Sequence, residues 1–342
     1  MHYRKNAWGW VDARDAAEPP WTRGAASARL RRLRAAVPHP IPAAPTFVES
    51  NSNDVWLLGE SVLRVCWRGD RARFVREARL VDALPASIPH PALIDYSTFE
   101  DVTWTLHERV AGVPLSTIWL DLPPTELRDL VAQFSGMVAA LHGWTPPAEI
   151  DALLAAHERE TPHDIEAIVD AALIPLPLPR LLTLAQVAGT IAYVDPTLIA
   201  AATKRIHDLA AADPFPSALP HVVHGDLAFV NILVDAGRIT AVLDFEWARK
   251  GPRDLELIAL IRMIELARRE VRREPPRVLQ WLQEDYPQLF AAPDLERRLW
   301  LYALAYTLRG IIFWPPDRPE ADLWPDHHLH LLRRLTQAPL PW

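Results

Sequence analysis

The stretch HGDLAFVNILVDAGRITAVLDFE, residues 224–246, sets Asp226, Asn231 and Asp244 among apolar neighbours. Buried carboxylates are costly unless something positive sits between them. NILV and ITAVL are β-rich runs joined by Asp235-Ala236-Gly237-Arg238, a hairpin signal in which Gly237 is free to take positive φ. Folding the hairpin lays its open ends side by side, so Asn231 at the start of one strand meets Asp244 at the end of the other. Asp226 reaches the same point from the preceding loop. Two carboxylates and one amide oxygen make a hard, oxygen-only site. That donor set suits magnesium, which takes few protein oxygens and keeps places for water or phosphate. It suits zinc poorly, because the nearest histidines are not spaced as ligands.

The surrounding chain has 342 residues, enough for one large domain or two lobes. It is 50% hydrophobic and 23% charged, an ordinary globular balance that argues against disorder. A net charge of −7 gives no sign of a nucleic-acid partner. Cys66 is the single cysteine, which excludes an internal disulfide and a cysteine-based zinc site. The N-terminus lacks the apolar segment of a secretory signal. No run of about 18 apolar residues suggests a membrane span. The expectation is a cytoplasmic protein. Lys5, Lys204 and Lys250 are the only lysines, so cationic roles fall mainly to arginine.

Residues 1–45 read as an Arg-, Ala- and Pro-rich N-terminal extension with one helical piece, SARLRRLRAAV. From 46 to 110 the pattern is strand, strand, helix, strand: NDVWLL and SVLRVCW about a Gly59-Glu60 turn, then RARFVREARLVDAL, then VTWTLHE. Residues 111–342 are mostly helical. The amphipathic helix TELRDLVAQFSGMVAALH opens this part after Pro123-Pro124, and the hairpin interrupts it. The expected fold is α+β and bilobal, with a small β-rich N-lobe carrying one key helix and a larger helical C-lobe.

Asp-x4-Asn followed by a hairpin ending in Asp-Phe is the order in which kinases place these groups. His224-Gly225-Asp226 through Asn231, Leu243-Asp244-Phe245-Glu246, Gly251-Pro252-Arg253-Asp254-Leu255 and Leu141-His142 together resemble the motifs of the aminoglycoside phosphotransferase and choline kinase-like family. The likeness runs from about residue 46 onward, with no specific match in 150–220. The resemblance implies a protein-kinase-like fold and roles for individual residues. Asp226 would be the catalytic base or hydroxyl-orienting carboxylate, and Asn231 and Asp244 would hold magnesium. His224 would orient the catalytic loop, and Asp254 would brace it through backbone hydrogen bonds.

The N-lobe supports the same reading. In SVLRVCW, Arg64 shares a face with Val62 and Cys66, which suits a cation aimed into a cleft rather than a solvated charge. It stands where a kinase sets a cation on nucleotide phosphates, with Glu77 on the next helix as its partner. Glu108 and Val110, where the last strand ends, would form the hinge that reads the purine ring. No glycine-rich phosphate loop precedes the first hairpin; Ser52 and Asn53 offer side-chain donors there instead.

These features imply an ATP- or GTP-dependent transfer of the γ-phosphoryl group to the hydroxyl of a small molecule, with magnesium as cofactor. An aminoglycoside-like compound, sugar, amino acid or amino alcohol all fit. Too few residues separate Asp244 from Asp254 for a protein-kinase activation loop, so a protein acceptor is disfavoured. The loop 313–326, with Trp314, Trp324, Asp317, Glu320, Asp322 and Asp326, suits an amino sugar or quaternary amine, or is an ordinary surface loop. A catalytically silent binding module and a magnesium-dependent phosphohydrolase stay open as alternatives, as does the oligomeric state.

Overall fold

The computed structural model describes residues 22–48, 53–67, 71–159, 177–214, 219–271, 275–316 and 327–337. Its N-lobe is an antiparallel five-stranded sheet: β1 (Thr46–Val48), β2 (Asp54–Leu57), β3 (Ser61–Cys66), β4 (Leu93–Phe99) and β5 (Val102–Glu108), in the order β1-β2-β3-β5-β4. Gly59, at φ 84°, closes the turn between β2 and β3. The register pairs Leu63 with Leu106 and Val65 with Trp104, while Arg64 pairs with Thr105 and points to the opposite face. Strand periodicity thus separates an apolar layer from a functional one.

Helix α1 (Arg23–Leu33) covers the apolar layer. Its Ala26, Leu30 and Leu33 pack with Trp56, Leu63, Val65 and Trp104 in one buried cluster. The helical piece of the N-terminal extension is therefore part of the N-lobe core. It is pinned by a buried ion pair, Arg29 Nε to Asp54 Oδ2 at 2.7 Å and Arg29 Nη2 to Asp54 Oδ1 at 2.8 Å. Helix α2 (Ala72–Val81) packs beside the other face, burying Phe74 and Ala78 together with Arg73 and Glu77.

The C-lobe is built on α3 (Pro124–Gly143), α4 (Ala148–Arg159), α5 (Leu178–Gly189), α6 (Pro196–Ala210), α7 (Leu257–Val271), α8 (Val278–Asp285), α9 (Leu295–Phe313) and α10 (His328–Gln337). Pro124 begins α3 where its missing N–H has no cost. Helix α9 buries Leu299, Trp300, Leu304, Leu308 and Ile311, so it is enclosed on several sides. Among the described residues no helix is long and apolar enough to cross a membrane.

The hairpin forms as expected from β8 (Ile232–Asp235) and β9 (Arg238–Val242), and the two-residue β6 (Val113–Pro114) adds to its edge. A further ladder, β7 (His221–Val223) with β10 (Arg249–Gly251), has no counterpart in the sequence reading. Each strand has three residues, too few for an alternation to register. This ladder clamps the two ends of the segment that carries the motifs.

Replacing Asp54 with Ala removes the carboxylate bound to a buried guanidinium and is expected to cost about 3–5 kcal/mol in denaturant unfolding. The double change Arg29→Met with Asp54→Ala should recover most of that loss.

Candidate active site

The loop that carries Asp226 leaves β7 at His224. Gly225 takes φ 83°, and a Cβ there would fall 2.6 Å from the Trp247 carbonyl oxygen, so a side chain has neither the backbone freedom nor the room. The buried His224 ring donates from Nε2 to the Leu243 carbonyl at 2.8 Å and accepts at Nδ1 from the Asp226 N–H at 3.3 Å. These bonds place a ring hydrogen on Nε2 and tie the loop to the segment that carries Asp244.

Asn231 turns its Nδ2 back to the Asp226 carbonyl at 2.9 Å, leaving Oδ1 without a hydrogen-bond partner among the described residues. Asp226 itself accepts no side-chain hydrogen bond there. Burial pushes its carboxyl above the ordinary 3.8, with Glu246 adding to the rise, while His224, Arg262 and Arg309 oppose it.

Asp254 does not brace the loop. It is held bidentately by Arg298 of α9, with both contacts at 2.7 Å, and by the Tyr302 hydroxyl at 3.0 Å. The bracing carboxylate is Glu256, which accepts from the His224 N–H at 2.5 Å and the Gly225 N–H at 3.2 Å. Burial opposes its charge, yet His142, His224 and these backbone donors hold its carboxyl below the ordinary carboxylate value. A buried glutamate inside an apolar run, DLELIAL, was the available signal.

Across the cleft, Arg64 joins the lobes. Its Nη1 lies 2.6 Å from Glu77 and its Nη2 2.5 Å from Asp244, with Glu246 at 3.9 Å. Its guanidinium also covers the Phe74 ring at 4.7 Å. A second set stands behind it: Arg73 Nε to Glu246 at 3.0 Å, Arg73 Nη2 to Asn53 Oδ1 at 3.2 Å, and Asn53 Nδ2 to Glu246 at 3.1 Å. Neither Arg73 nor Glu246 had a role in the sequence reading. Asn53, expected as a phosphate donor, is here a buried linker between Arg73 and Glu246. Ser52 and residues 317–326 lie outside the described residues.

Glu108 ends β5, its N–H bound to the Ala92 carbonyl at 2.9 Å. Among the described residues neither backbone group of Val110 is hydrogen-bonded, which leaves that backbone available to a ligand.

Comparison with known proteins bears on this arrangement. The model of the phosphotransferase enzyme family, APH, matches residues 44–289. The chain belongs to that family. No curated protein matches it. Among solved structures it is similar to the GDP and kanamycin complex of APH(2")-IIia, at 16% identity and a TM-score of 0.64, covering 90% of this chain and 98% of that one. It is also similar to the GDP complex of wild-type aminoglycoside 2'-phosphotransferase-IIIa, at 16% identity and TM-score 0.60, covering 91% and 98%. A third is a thermostable mutant of aminoglycoside phosphotransferase APH(4)-Ia in ternary complex with ADP and hygromycin B, at 18% identity and TM-score 0.54, covering 86% and 94%. At these identities the likeness establishes the bilobal kinase-like fold.

The family member has a cluster short of positive charge. Oxygens of Glu77, Asp244 and Glu246 lie within 4.8 Å of one another, and Glu77 Oε2 is buried without a partner. Burial pushes the Asp244 carboxyl up to about 8, with Glu246, Glu77 and Asp226 adding to the rise and Arg64 opposing it. A quarter of the Asp244 side chain stays exposed, so a cation can reach it. The oxygen-only donor set is one that could hold magnesium, through Asp244 and Asn231 Oδ1.

Two outcomes follow from these groups. Folded Asp244 keeps its proton to about pH 8, whereas the unfolded group releases it near 3.8, so its effect on stability worsens as pH rises between those values. Without metal, Asp244→Asn should raise the unfolding free energy in urea at pH 8 by about 1–3 kcal/mol after solvent screening, and by little at pH 5. Glu256→Ala orphans two buried N–H groups and should cost about 2–4 kcal/mol in urea unfolding.

Proposed function

We propose that this phosphotransferase moves the γ-phosphoryl group of ATP or GTP to a hydroxyl of a small molecule, using magnesium. The observation that carries this reading is the Glu77–Arg64–Asp244 chain across the cleft, beside Asn231, which bonds the Asp226 carbonyl and accepts from the Leu243 N–H next to Asp244.

In this reading the backbone of Glu108 and Val110 holds the purine. Arg64 exchanges its bond to Asp244 for the donor's phosphates, and Glu77 keeps the guanidinium aimed. Asp244 and Asn231 Oδ1 would hold magnesium, which supplies charge neutralisation on those phosphates. The acceptor oxygen bonds to the γ-phosphorus as the bond to the β,γ-bridging oxygen breaks. The hydroxyl proton passes to the Asp226 carboxylate, and the nucleoside diphosphate leaves. His224 and Glu256 fix the loop, so the chemistry draws mainly on positioning and charge. Support for a small acceptor comes from the short connection between Asp244 and Asp254, occupied by the turn at 245–247 and β10. A phosphohydrolase would leave the Arg64–Glu77 pair and the open Val110 backbone without a purpose.

Asp226→Asn should lower turnover by about 10²–10⁴ with nucleotide affinity little changed, read by steady-state kinetics and calorimetry. Equal loss of both would count against the assignment. Asp226 accepts a proton only when ionised, and its carboxyl is raised. The acid limb of kcat/KM should therefore lie above the ordinary carboxylate value of 3.8, with activity lost as pH falls through it. Magnesium nucleotide should stabilise the wild type and fail to stabilise Asp244→Asn.

A further inference from the structure

The C-lobe wall beside Asp226 is cationic and aromatic. Arg262, on α7, is half-buried with its guanidinium carbon 3.3 Å above the centre of the Tyr306 ring. It makes no ion pair or hydrogen bond with the described residues. Arg309, on α9, lies 5.0 Å from the centre of the Trp247 ring, three residues beyond Asp244. Both arginines lie near enough to act electrostatically on the Asp226 carboxylate and on His328.

Rings complete this wall. His328 stacks on Trp314 at 5.4 Å and 8°, and meets Tyr306 at 5.7 Å. It sits close against α9 because Gly310 lacks a side chain; a Cβ there would come within 2.5 Å of His328 Cγ. Burial and the nearby arginines hold His328 well below its ordinary value, so it serves as a neutral ring.

A half-buried guanidinium without a counter-charge is unfavourable until a ligand supplies one. Lying on a ring face, it keeps its in-plane N–H groups free, and these match a carboxylate or phosphate in a bidentate fork. A polycationic amino sugar would meet like charge on the same surface.

We propose that this wall binds a hydroxyl compound bearing an anionic group, with Arg262 as the counter-charge and the neighbouring aromatic rings against its apolar part. The proposal rests on the phosphotransfer reading, because it concerns the molecule presented to Asp226. It runs against the amine acceptor expected from the 313–326 loop.

The test uses the full chain loaded with magnesium and a non-hydrolysable nucleotide. Two probes of matched shape are titrated calorimetrically: 4-(hydroxymethyl)benzoate and 4-(aminomethyl)benzyl alcohol. The carboxylate should bind about tenfold more tightly than the amine. Arg262→Gln should abolish that preference and Arg262→Lys should restore part of it. Equal binding, tighter binding of the amine, binding of neither, or a preference that survives Arg262→Gln would overturn the proposal. Stabilisation by magnesium nucleotide is read in parallel. Its absence in the wild type overturns the phosphotransfer reading and the acceptor proposal with it; its presence beside equal probe binding overturns the acceptor proposal alone.

Discussion

The structure depends on neutralising a set of carboxylates that folding brings into one poorly hydrated place. Glu77 comes from the N-lobe helix, Asp244 and Glu246 from the C-lobe segment after the hairpin, and Arg64 stands between them. Removing such charges from water costs several kcal/mol per ion, on the order expected for buried groups. Arg64 answers part of that cost, with Arg73 bonded to Glu246 behind it, and the two ends of the Arg64 guanidinium link the lobes. The rest of the imbalance shows in the raised Asp244 carboxyl and the unpartnered Glu77 oxygen. An unfilled requirement for positive charge is what a site for a metal ion and a phosphate donor needs, and marginal stability at such a point is the ordinary accompaniment of function.

Rigidity comes from the other side of the site. The β7–β10 ladder clamps the ends of the motif segment, and Glu256 gathers the N–H groups of His224 and Gly225. His224 then carries the constraint onward to the Leu243 carbonyl, one residue before the left-handed Asp244 at φ 67°. The positions of Asp226 and Asp244 are thereby set by a short chain of buried hydrogen bonds, each of which leaves a costly orphan if broken. The neighbouring Asp254 performs a different task, tying this segment to Arg298 and Tyr302 of α9.

The cleft is electrostatically divided. Its metal side is crowded with carboxylates, whereas the wall formed by α7 and α9 offers Arg262 and Arg309 over aromatic rings. The fold shared with aminoglycoside phosphotransferases does not dictate that wall, because acceptor choice is set by side chains placed on a common frame.

The sequence by itself determined whatever short-range geometry controls. The hairpin, and with it the approach of Asn231 to Asp244, follows from two β-rich runs and a turn. The alternation around Arg64 sets it between Val62 and Cys66 on one face, a cation aimed into a cleft, and the next helix offers Glu77 to it. Only the tertiary structure decided the partners that lie far apart along the chain. Asn53 meets Glu246 across 193 positions, and the packing of α9 assigns Arg298 to Asp254 and so leaves Glu256 to the loop. Asp254 and Glu256 lie in one turn and carry the same charge, so no local pattern separates their roles. The cationic wall is of the same kind: Arg262 and Arg309 read as ordinary helix charges until α7 and α9 pack and set them over the Tyr306 and Trp247 rings. Periodicity and turn chemistry act over a few residues, whereas the pairing of buried charges is settled by which elements share a core.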